Sequence, residues 1–303
     1  MKRLSTLLLV LGAAFAVASP AGAQESATLK KIRDSASITI GHRDASIPFS
    51  YYDDKQQPIG FAVDLCLRIV DAIRTELKLP KLDVKYQLVT SANRIPLMAN
   101  GTIDIECGST TNNLARQKEV AFTTTHFLTA TRLVSKKTAN LNSVNDLKGK
   151  TAVSTSGTTN IRQLTELNTS QNMGMNIIPA NGHAEAFQMV ETGRAVAFAM
   201  DDILLYSLVS QSRNPSEFVI SDFALSLPEP YGIMLRRDDP GFKKVVDNAM
   251  NRVYKSGEIN KIYDKWFLQP IPPKNINLNV PMSALFKNVV ARPTDSGDPA
   301  DYK

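Results

Sequence analysis

The chain has 303 residues and a formal net charge of +6, from 35 Lys and Arg against 29 Asp and Glu. This positive excess suits an anionic small ligand, but it is too weak and too dispersed to indicate nucleic-acid binding. The two cysteines and three histidines lack the spacing of metal ligands, so we expect neither a metal nor a cofactor.

The first 23 residues have the three parts of a secretory signal peptide. Lys2 and Arg3 are basic, residues 7–17 are mostly apolar, and Ala21-Gly22-Ala23 is a small-x-small cleavage site. Cleavage after Ala23 lowers the net charge by two, from +6 to +4, and leaves Gln24 first, with no cysteine there to carry a lipid. The apolar run is too short to remain as a membrane span. We therefore expect a soluble, exported, periplasmic protein.

Strand and helix patterns alternate through the first third of the mature chain. Leu65, Ile69 and Ile73 recur at helical spacing, whereas Ile103 and Ile105 alternate as in a strand. Such alternation predicts a mostly parallel sheet with helices on both faces. We predict strands 38–41, 84–88 and 103–107, and helices 61–77 and 95–100.

A second round of alternation begins after Thr123. Residues 148–153 weakly echo residues 35–40, because each segment places a strand before a polar turn. About 280 mature residues suffice for two such lobes, each with its own core. We predict strands 131–136, 151–154, 175–178 and 195–199, helices 144–147, 161–167 and 184–191, and a further helix after Asp201-Asp202.

The chain is then predicted to return to the first lobe. Strand 233–235 and helices 240–255 and 259–267 need a sheet to pack on, and the first lobe offers one. This predicts an α/β fold of two lobes joined by two hinge crossings, near 122–125 and 228–232. The predicted domains are the signal peptide 1–23, lobe 1 from 24–124 and 232–303, and lobe 2 from 125–231.

Prolines mark the end of the predicted helical structure. Pro270, Pro272 and Pro273 follow the last predicted helix, and a proline interrupts helical hydrogen bonding. The stretch from Pro293 is rich in Pro, Asp and Gly. We therefore expect no helix after residue 267 and a frayed end from Pro293.

The two cysteines leave two states open. Cys66 lies in a predicted helix and Cys107 at the end of a predicted strand. In an oxidising compartment they could form a disulfide if the helix packs over that strand. Buried free cysteine is also common, so the sequence alone does not decide between them.

The segment 101–116 carries the clearest functional signal. After strand 103–107, Gly108 lets the backbone turn sharply and expose Ser109, Thr110 and Thr111. Clustered hydroxyls of this kind donate hydrogen bonds to an anion. An ordinary strand-to-helix turn with a Ser or Thr cap would show the same residues.

Three arginines strengthen the prediction of an anion site. Arg43 and Arg94 follow predicted strands, where open α/β sheets bind ligands, and Arg116 ends the hydroxyl-rich segment. A guanidinium can hold a carboxylate through two parallel charge-assisted hydrogen bonds. The alternative is that they are exposed arginines paired with surface acids.

Several motifs together resemble the periplasmic solute-binding proteins of polar amino-acid ABC transporters, family 3, in the glutamate/aspartate-binding branch. The likeness covers roughly residues 29–275, which spans both predicted lobes. One departure is Ala62, at a position where the family usually has an acid. The matching segments are Gly60-Phe61-Ala62-Val63-Asp64-Leu65, Gly101-Thr102-Ile103-Asp104, Ser109-Thr110-Thr111 to Arg116, Gly193-Arg194-Ala195-Val196-Ala197 to Asp201, and Lys265-Trp266-Phe267.

The resemblance implies a two-lobed periplasmic binding protein fold with the ligand in the cleft between the lobes. It implies that the protein captures L-glutamate and L-aspartate by lobe closure, and delivers them as a monomer to an inner-membrane ABC permease complex. By position, the implied α-carboxylate contacts are Arg116, Ser109, Thr111 and Thr159, the ammonium contact is Asp201, and the side-chain carboxylate contacts are Arg43, Ser91, Arg94 and His183.

Some of these residues also have a purely structural interpretation. Ser91, Thr159 and His183 lie near predicted helix starts, where polar side chains act as caps. One of the adjacent acids Asp201 and Asp202 is expected to cap the helix that follows them.

Two other functions remain open at this stage. The fold also resembles exported cyclohexadienyl dehydratases, for which only His183 or Glu106 could serve as a general acid or base. Glu106 alternates with Ile105 and Cys107, so we expect it to face solvent or the edge of the sheet. The other alternative is a ligand sensor that docks on a receptor, and loss of uptake on deletion of the gene would favour the transport function.

Overall fold

The structure, a computed structural model, describes residues 26–302. The predicted signal peptide, residues 1–23, lies outside the described residues. No helix within residues 26–302 combines the length and the apolar character that a membrane crossing requires.

The strands are short, and most belong to two five-stranded sheets. Within residues 26–302 they are β1 (Ser37–His42), β2 (Ala45–Ser46), β3 (Ser50–Tyr52), β4 (Pro58–Ile59), β5 (Asp83–Leu88), β6 (Ile105–Cys107), β7 (Val120–Phe122), β8 (Phe127–Thr129), β9 (Thr131–Lys136), β10 (Thr151–Thr155), β11 (Asn176–Ala180), β12 (Ala197–Asp201), β13 (Phe218–Ile220), β14 (Glu229–Tyr231) and β15 (Met234–Arg236).

Several helices begin at side-chain caps that the sequence supplies. Ser26, Asp239 and Ser283 accept hydrogen bonds from the backbone N–H groups of Leu29, Phe242 and Phe286, at 3.0–3.1 Å. The α-helices within residues 26–302 are α1 (Ala27–Ser35), α2 (Phe61–Glu76), α3 (Arg94–Ala99), α4 (Thr159–Ser170), α5 (His183–Glu191), α6 (Asp202–Gln211), α7 (Pro240–Lys255), α8 (Glu258–Phe267) and α9 (Ala284–Ala291). Short 3₁₀ helices span Arg116–Lys118, Lys137–Ala139, Val144–Leu147, Pro215–Glu217 and Pro299–Tyr302.

The two five-stranded sheets have the same strand plan. The first has the order β5-β1-β6-β15-β7 and the second the order β11-β10-β12-β9-β13. In each, the first three strands are parallel, the fourth runs antiparallel to them, and the fifth pairs antiparallel with the fourth. The weak sequence echo between the two halves therefore reflects two similarly built sheets.

Two antiparallel strands connect the sheets. β8 precedes the second sheet along the chain and β14 follows it, and the two pair through Phe127 with Tyr231, Leu128 with Pro230, and Thr129 with Glu229. Buried aromatic rings pack behind this pair, with Phe49 centred 5.0 Å from Phe127 and 5.1 Å from Tyr231. The crossing strands are therefore fixed to the core beside the first sheet.

Cys66 and Cys107 form a disulfide, which resolves the two states that the sequence left open. The bond joins α2 to β6, with 6.3 Å between the two Cα atoms. α2 packs over β6, as the disulfide interpretation required.

The predicted elements up to residue 267 are present, but both expectations for the chain end are wrong. The helix α9 follows the prolines, and Ser283 caps it. The end from Pro293 is not frayed: the carbonyl of Thr294 accepts a hydrogen bond from the N–H of Thr125 at 2.8 Å, and Tyr302 is buried. Hydrogen bonds to the crossing, rather than local helical propensity, hold this end.

Candidate functional site

The predicted site residues converge between the two sheets, beyond the carboxyl ends of their parallel strands. A small cavity of about 10 Å³ lies there, lined by Ser91, Arg94, Ser109, Thr111, Thr159, His183 and Asp201 among others. Arg43 and Arg116, the other two predicted residues, contact members of this set. All nine are buried.

Size alone does not identify the site. A larger groove of about 610 Å³ lies on the surface near Val144, Leu167 and Phe223. Its only charged lining residue is Glu166. We locate the site at the smaller cavity, because buried charged groups converge there and their burial is costly unless a ligand or partner compensates it.

Arg43 follows β1 and is 2% exposed. Its Nη2 lies 3.5 Å from Nε2 of His183, which comes after β11 of the second sheet. Its Nε and Nη1 have no hydrogen-bond partner among the described residues. Burial, together with the positive charge of Arg94, lowers its pKa to about 10, so it stays charged at neutral pH. Arg43 therefore offers unused donors beside the cavity.

Arg94 is the first residue of α3 and is also 2% exposed. Its Nη1 lies 3.5 Å from the carbonyl of Ser109, and its Nε has no partner among the described residues. Burial lowers the pKa of Arg94, while the negative charge of Glu106 opposes that shift. The Ser91 hydroxyl, which also lines the cavity, is unpartnered within residues 26–302.

Arg116 spans the space between the sheets. Its Nη1 donates to the carbonyl of Thr111 at 2.8 Å, and its Nη2 donates to the carbonyl of Gly157 at 3.0 Å, in the turn after β10. Burial lowers its pKa to about 9, with Arg94 adding to the effect. The guanidinium is thus fixed by backbone carbonyls from both sides of the cleft.

The start of α4 faces Arg116. Thr158 caps this helix by accepting from the N–H of Ile161 at 3.2 Å, which leaves the Thr159 hydroxyl free of the capping role. Oγ1 of Thr159 lies 3.4 Å from Oγ1 of Thr111 on the opposite side. Hydroxyls and a helix N-terminus beside a guanidinium form a suitable environment for a carboxylate.

His183 is the first residue of α5, and its ring is buried. Nδ1 lies 2.9 Å from the hydroxyl of Thr155. Burial lowers the pKa of His183 well below its usual value, and the cations Arg43 and Arg94 lower it further. The ring is therefore neutral at pH 7, and it does not add a third positive charge beside these two arginines.

Asp201 ends β12 and is the N-cap residue of α6, but its side chain makes no capping hydrogen bond. Its Oδ1 accepts from Nδ2 of Asn160 at 2.7 Å, and its Oδ2 accepts from the phenol of Tyr231. Burial raises the pKa of Asp201 to about 7, and the nearby carboxylate of Glu229 contributes to the rise. Asp202 provides the local contact at the helix start, because its Oδ1 accepts from the N–H of Ile203.

The expectation for Glu106 is wrong. Glu106 is fully buried in β6, between β1 and β15, and its Oε2 accepts from the Thr110 hydroxyl at 2.6 Å. Its negative charge opposes the burial-driven lowering of the pKa of both Arg43 and Arg94, so it acts as a buried counter-charge to them. An acid in an otherwise apolar central strand was the sequence signal for this role.

Three further contributors were not predicted. Tyr231 and Glu229 come from the crossing strand β14, and Asn160 comes from α4. Asn160 also donates to Oγ1 of Thr131 at 2.7 Å, and this hydroxyl lies 3.3 Å from Glu229. Because these contacts join residues distant in sequence, no local motif marked them.

Fold and site together define an α/β binding protein with its ligand cleft between two lobes. The chain matches the bacterial extracellular solute-binding proteins, family 3, over residues 38–269. It belongs to this family.

Named relatives agree with this assignment. The L-glutamate/L-aspartate-binding protein of Pseudomonas aeruginosa is 55% identical, over 92% of this chain and 93% of that protein. The glutamate/aspartate import solute-binding protein of Salmonella typhimurium is 46% identical, over 97% and 98% of the two chains. The crystal structure of an ancestral amino acid-binding protein, a precursor of cyclohexadienyl dehydratase, superposes with a TM-score of 0.65 at 26% identity, over 79% of this chain and 98% of that one.

These proteins confirm the two-lobed periplasmic binding protein fold that the sequence predicts. The family and the two close relatives are solute-binding proteins, not enzymes. The chain is accordingly a substrate-binding protein of the kind that serves amino-acid import.

Proposed function

We propose that this protein captures L-glutamate and L-aspartate in the cleft and delivers them to an inner-membrane ABC permease. The observation that carries the proposal is the charge arrangement of three buried arginines, each less than a tenth exposed: Arg94 lines a cavity that Asp201 also lines, and Arg43 and Arg116 contact other residues of its lining. A ligand with two carboxylates and one ammonium group complements this set. The names of the two close relatives support the same ligands.

Each part of the ligand has a proposed set of partners. Arg116 is oriented by two backbone carbonyls and lies beside hydroxyls, which suits the α-carboxylate. Arg43 and Arg94 keep unpartnered donors, which suit the second carboxylate. The proposed α-carboxylate contacts are Arg116, Ser109, Thr111 and Thr159, the ammonium contact is Asp201, and the side-chain carboxylate contacts are Arg43, Ser91, Arg94 and His183.

The proposed lobe boundaries follow the sheets. Lobe 1 consists of residues 24–124 and 232–303, and lobe 2 of residues 125–231. β15 lies in the first sheet although it follows the second along the chain, which supports a discontinuous first lobe. The lobes close around the ligand by hinging at the two crossings.

Selectivity over glutamine follows from charge. An amide in place of the side-chain carboxylate leaves Arg43 and Arg94 without an anionic partner in a desolvated site, at a cost of about 2 to 5 kcal/mol. We expect glutamine to bind roughly thirtyfold to several thousandfold more weakly than glutamate.

Calorimetric titration of the mature, refolded and ligand-free chain with L-glutamate, L-aspartate and L-glutamine tests the proposal. Tight one-to-one binding of both acids with weak glutamine binding is the expected result. Arg94→Met should reduce the difference between glutamate and glutamine, whereas Arg74→Met, at an exposed position on α2, should leave it unchanged. Tight glutamine binding, or no binding of either acid, would contradict the proposal.

The transport role and the location have separate tests. We propose that the protein acts in the periplasm as a monomer and needs no cofactor or metal. Deletion of the gene should abolish high-affinity uptake of both acids, and cell fractionation should recover the mature chain with periplasmic proteins. Retention of uptake after deletion would favour a sensor instead.

A further inference from the structure

The last described residues of the chain form hydrogen bonds with the segments around Arg116 and Thr125. Residues 293–302, here termed the C-terminal strap, lie beyond the family match, which ends at residue 269. The strap has only a short 3₁₀ helix, at Pro299–Tyr302. Its position is set instead by hydrogen bonds to the loop that carries Arg116 and to the first crossing.

The first set of contacts is with the Arg116 loop. The carbonyl of Asp295 accepts hydrogen bonds from Nδ2 of Asn112 at 2.8 Å and from Nε2 of Gln117 at 2.9 Å. Nε2 of Gln117 also donates to Oδ1 of Asn112, so the two amides and the carbonyl form a closed cluster. Asn112 and Gln117 lie on either side of Arg116 in the sequence, and the strap therefore fixes both ends of its loop.

Close packing reinforces these bonds. A Cβ atom built on Gly297 would lie 2.7 Å from the carbonyl carbon of Asn113, so the strap backbone lies directly against the loop backbone. Asn113 in turn accepts from the N–H of Arg116 at 2.9 Å through its Oδ1. Asn113 therefore links the strap backbone to the backbone of Arg116.

The second set of contacts is with the crossings. The N–H of Thr125 donates to the carbonyl of Thr294 at 2.8 Å, and the Thr125 hydroxyl lies 2.7 Å from the phenol oxygen of Tyr302. The N–H of Asn112 donates to the carbonyl of Pro230 in β14 at 2.8 Å. The strap therefore bonds directly to the first crossing and, through Asn112, is tied to the second.

We propose that the C-terminal strap positions Arg116 for the ligand α-carboxylate by holding its loop in place against both crossings. The proposal rests on the proposed function, because it assumes that Arg116 binds a carboxylate in the cleft. Without the strap, the amides of Asn112 and Gln117 lose their shared acceptor and the loop gains alternative conformations. Ligand binding must then order the loop, and affinity falls by the free energy of that ordering.

A chain that ends at Arg292 tests this inference. Relative to the mature chain, we expect its Kd for L-glutamate to rise about tenfold, which equals about 1.4 kcal/mol of binding free energy. Leu147→Ala is the matched control, because Leu147 is fully buried in the separate core cluster of the second sheet. This variant should lose thermal stability but keep its Kd within about twofold.

A double-mutant cycle distinguishes positioning from general destabilisation. Gln117→Leu removes the two hydrogen bonds of its amide and should weaken binding in the mature chain. In the chain ending at Arg292 the same substitution should cost less, since the carbonyl of Asp295 is already gone and only the bond to Asn112 remains to be lost. Additive effects, an unchanged Kd on truncation, or an equal loss in Leu147→Ala would overturn the proposal. Failure of the mature chain to bind either acid would instead reject the proposed function, and this inference with it.

Discussion

The phenol of Tyr231 donates a hydrogen bond to the carboxylate of Asp201, so a crossing strand touches the group proposed to hold the ligand ammonium. Tyr231 lies in β14 and Asp201 at the end of β12 in the second sheet. Glu229, two residues before Tyr231 on the same strand, adds a negative charge that helps to raise the pKa of Asp201. The proposed ammonium site is therefore built partly from a crossing strand.

The first prediction concerns pH. With a pKa of about 7, Asp201 carries a proton in the free protein below that pH, and this proton must leave before the ligand ammonium can pair with the carboxylate. Its charged neighbours are Glu229 and Asp202, and the arginines Arg94 and Arg116 also interact with it. Affinity for glutamate should fall by up to about tenfold for each pH unit below 7.

Titrations between about pH 5 and 8 check this, because the ligand carboxylates stay ionised over most of that range. His183 should not contribute near pH 7, since burial and the cations Arg43 and Arg94 lower its pKa well below 6.5. Asp201→Asn should bind weakly and show a flat pH profile. A flat profile in the unmodified chain would contradict the prediction.

The second prediction concerns Tyr231→Phe. Removal of the phenol takes away a hydrogen bond that lowers the pKa of Asp201, so this pKa should rise further above 7. The midpoint of the pH dependence of glutamate binding should therefore move upward, and binding at pH 7 should weaken. Tyr206→Phe, on the exposed face of α6, is the control and should shift neither quantity. An unchanged midpoint in Tyr231→Phe would show that the phenol has no effect on the acid.

The third prediction uses a close approach between the two sides of the cleft. Gly157 has φ +75°, and a Cβ on it would lie 2.6 Å from the Cα of Ala92 and from the carbonyl of Ser91, both on the opposite side. Gly157→Ala should therefore hinder closure and raise Kd at least about tenfold. It should separately lower stability by about 1–2 kcal/mol, because a residue with a side chain is strained in the left-handed conformation.

Gly174→Ala supplies the matched control for backbone strain. Gly174 has φ +62°, but a Cβ there meets nothing within 4 Å. This variant should lose comparable stability and retain its affinity. Small-angle scattering with saturating glutamate should show a larger radius of gyration for Gly157→Ala only, and equal radii would reject the steric explanation.

The fourth prediction concerns the disulfide. The bond closes a loop with a sequence separation of 41, which by chain entropy stabilises the fold by about 4 kcal/mol. Replacement of both Cys66 and Cys107 by alanine should lower the free energy of unfolding by about that amount, measured by urea denaturation. Affinity should change little, because neither residue lines the cavity.

Local patterns predicted those parts of the molecule that local chemistry determines. Alternating Ile103 and Ile105 marked a strand, Gly108 marked the turn after it, and arginines after strand ends marked the site. Seven of the nine predicted residues line one cavity and the other two, Arg43 and Arg116, contact that set, although the contacts of all nine with the ligand stay a prediction.

Long-range contacts were the part that the sequence did not reveal. Tyr231 was read only as part of a crossing, because nothing near it indicates that its phenol reaches Asp201. The sequence pattern does not predict α9, because prolines usually end helical structure, whereas here Ser283 caps a new helix after them. Glu106 was assigned to an exposed position by alternation alone, which cannot distinguish a central strand covered on both faces from an edge strand.

The pairing of β8 with β14 has a mechanical consequence. We expect the two connections to bend as one ribbon, because they are hydrogen-bonded to each other along three residue pairs and twisting or sliding of one lobe against the other would break that ladder. Opening is then described by a single angular coordinate. One pair of spin labels, with one on each lobe, should report the whole motion as a single distance that changes between two values.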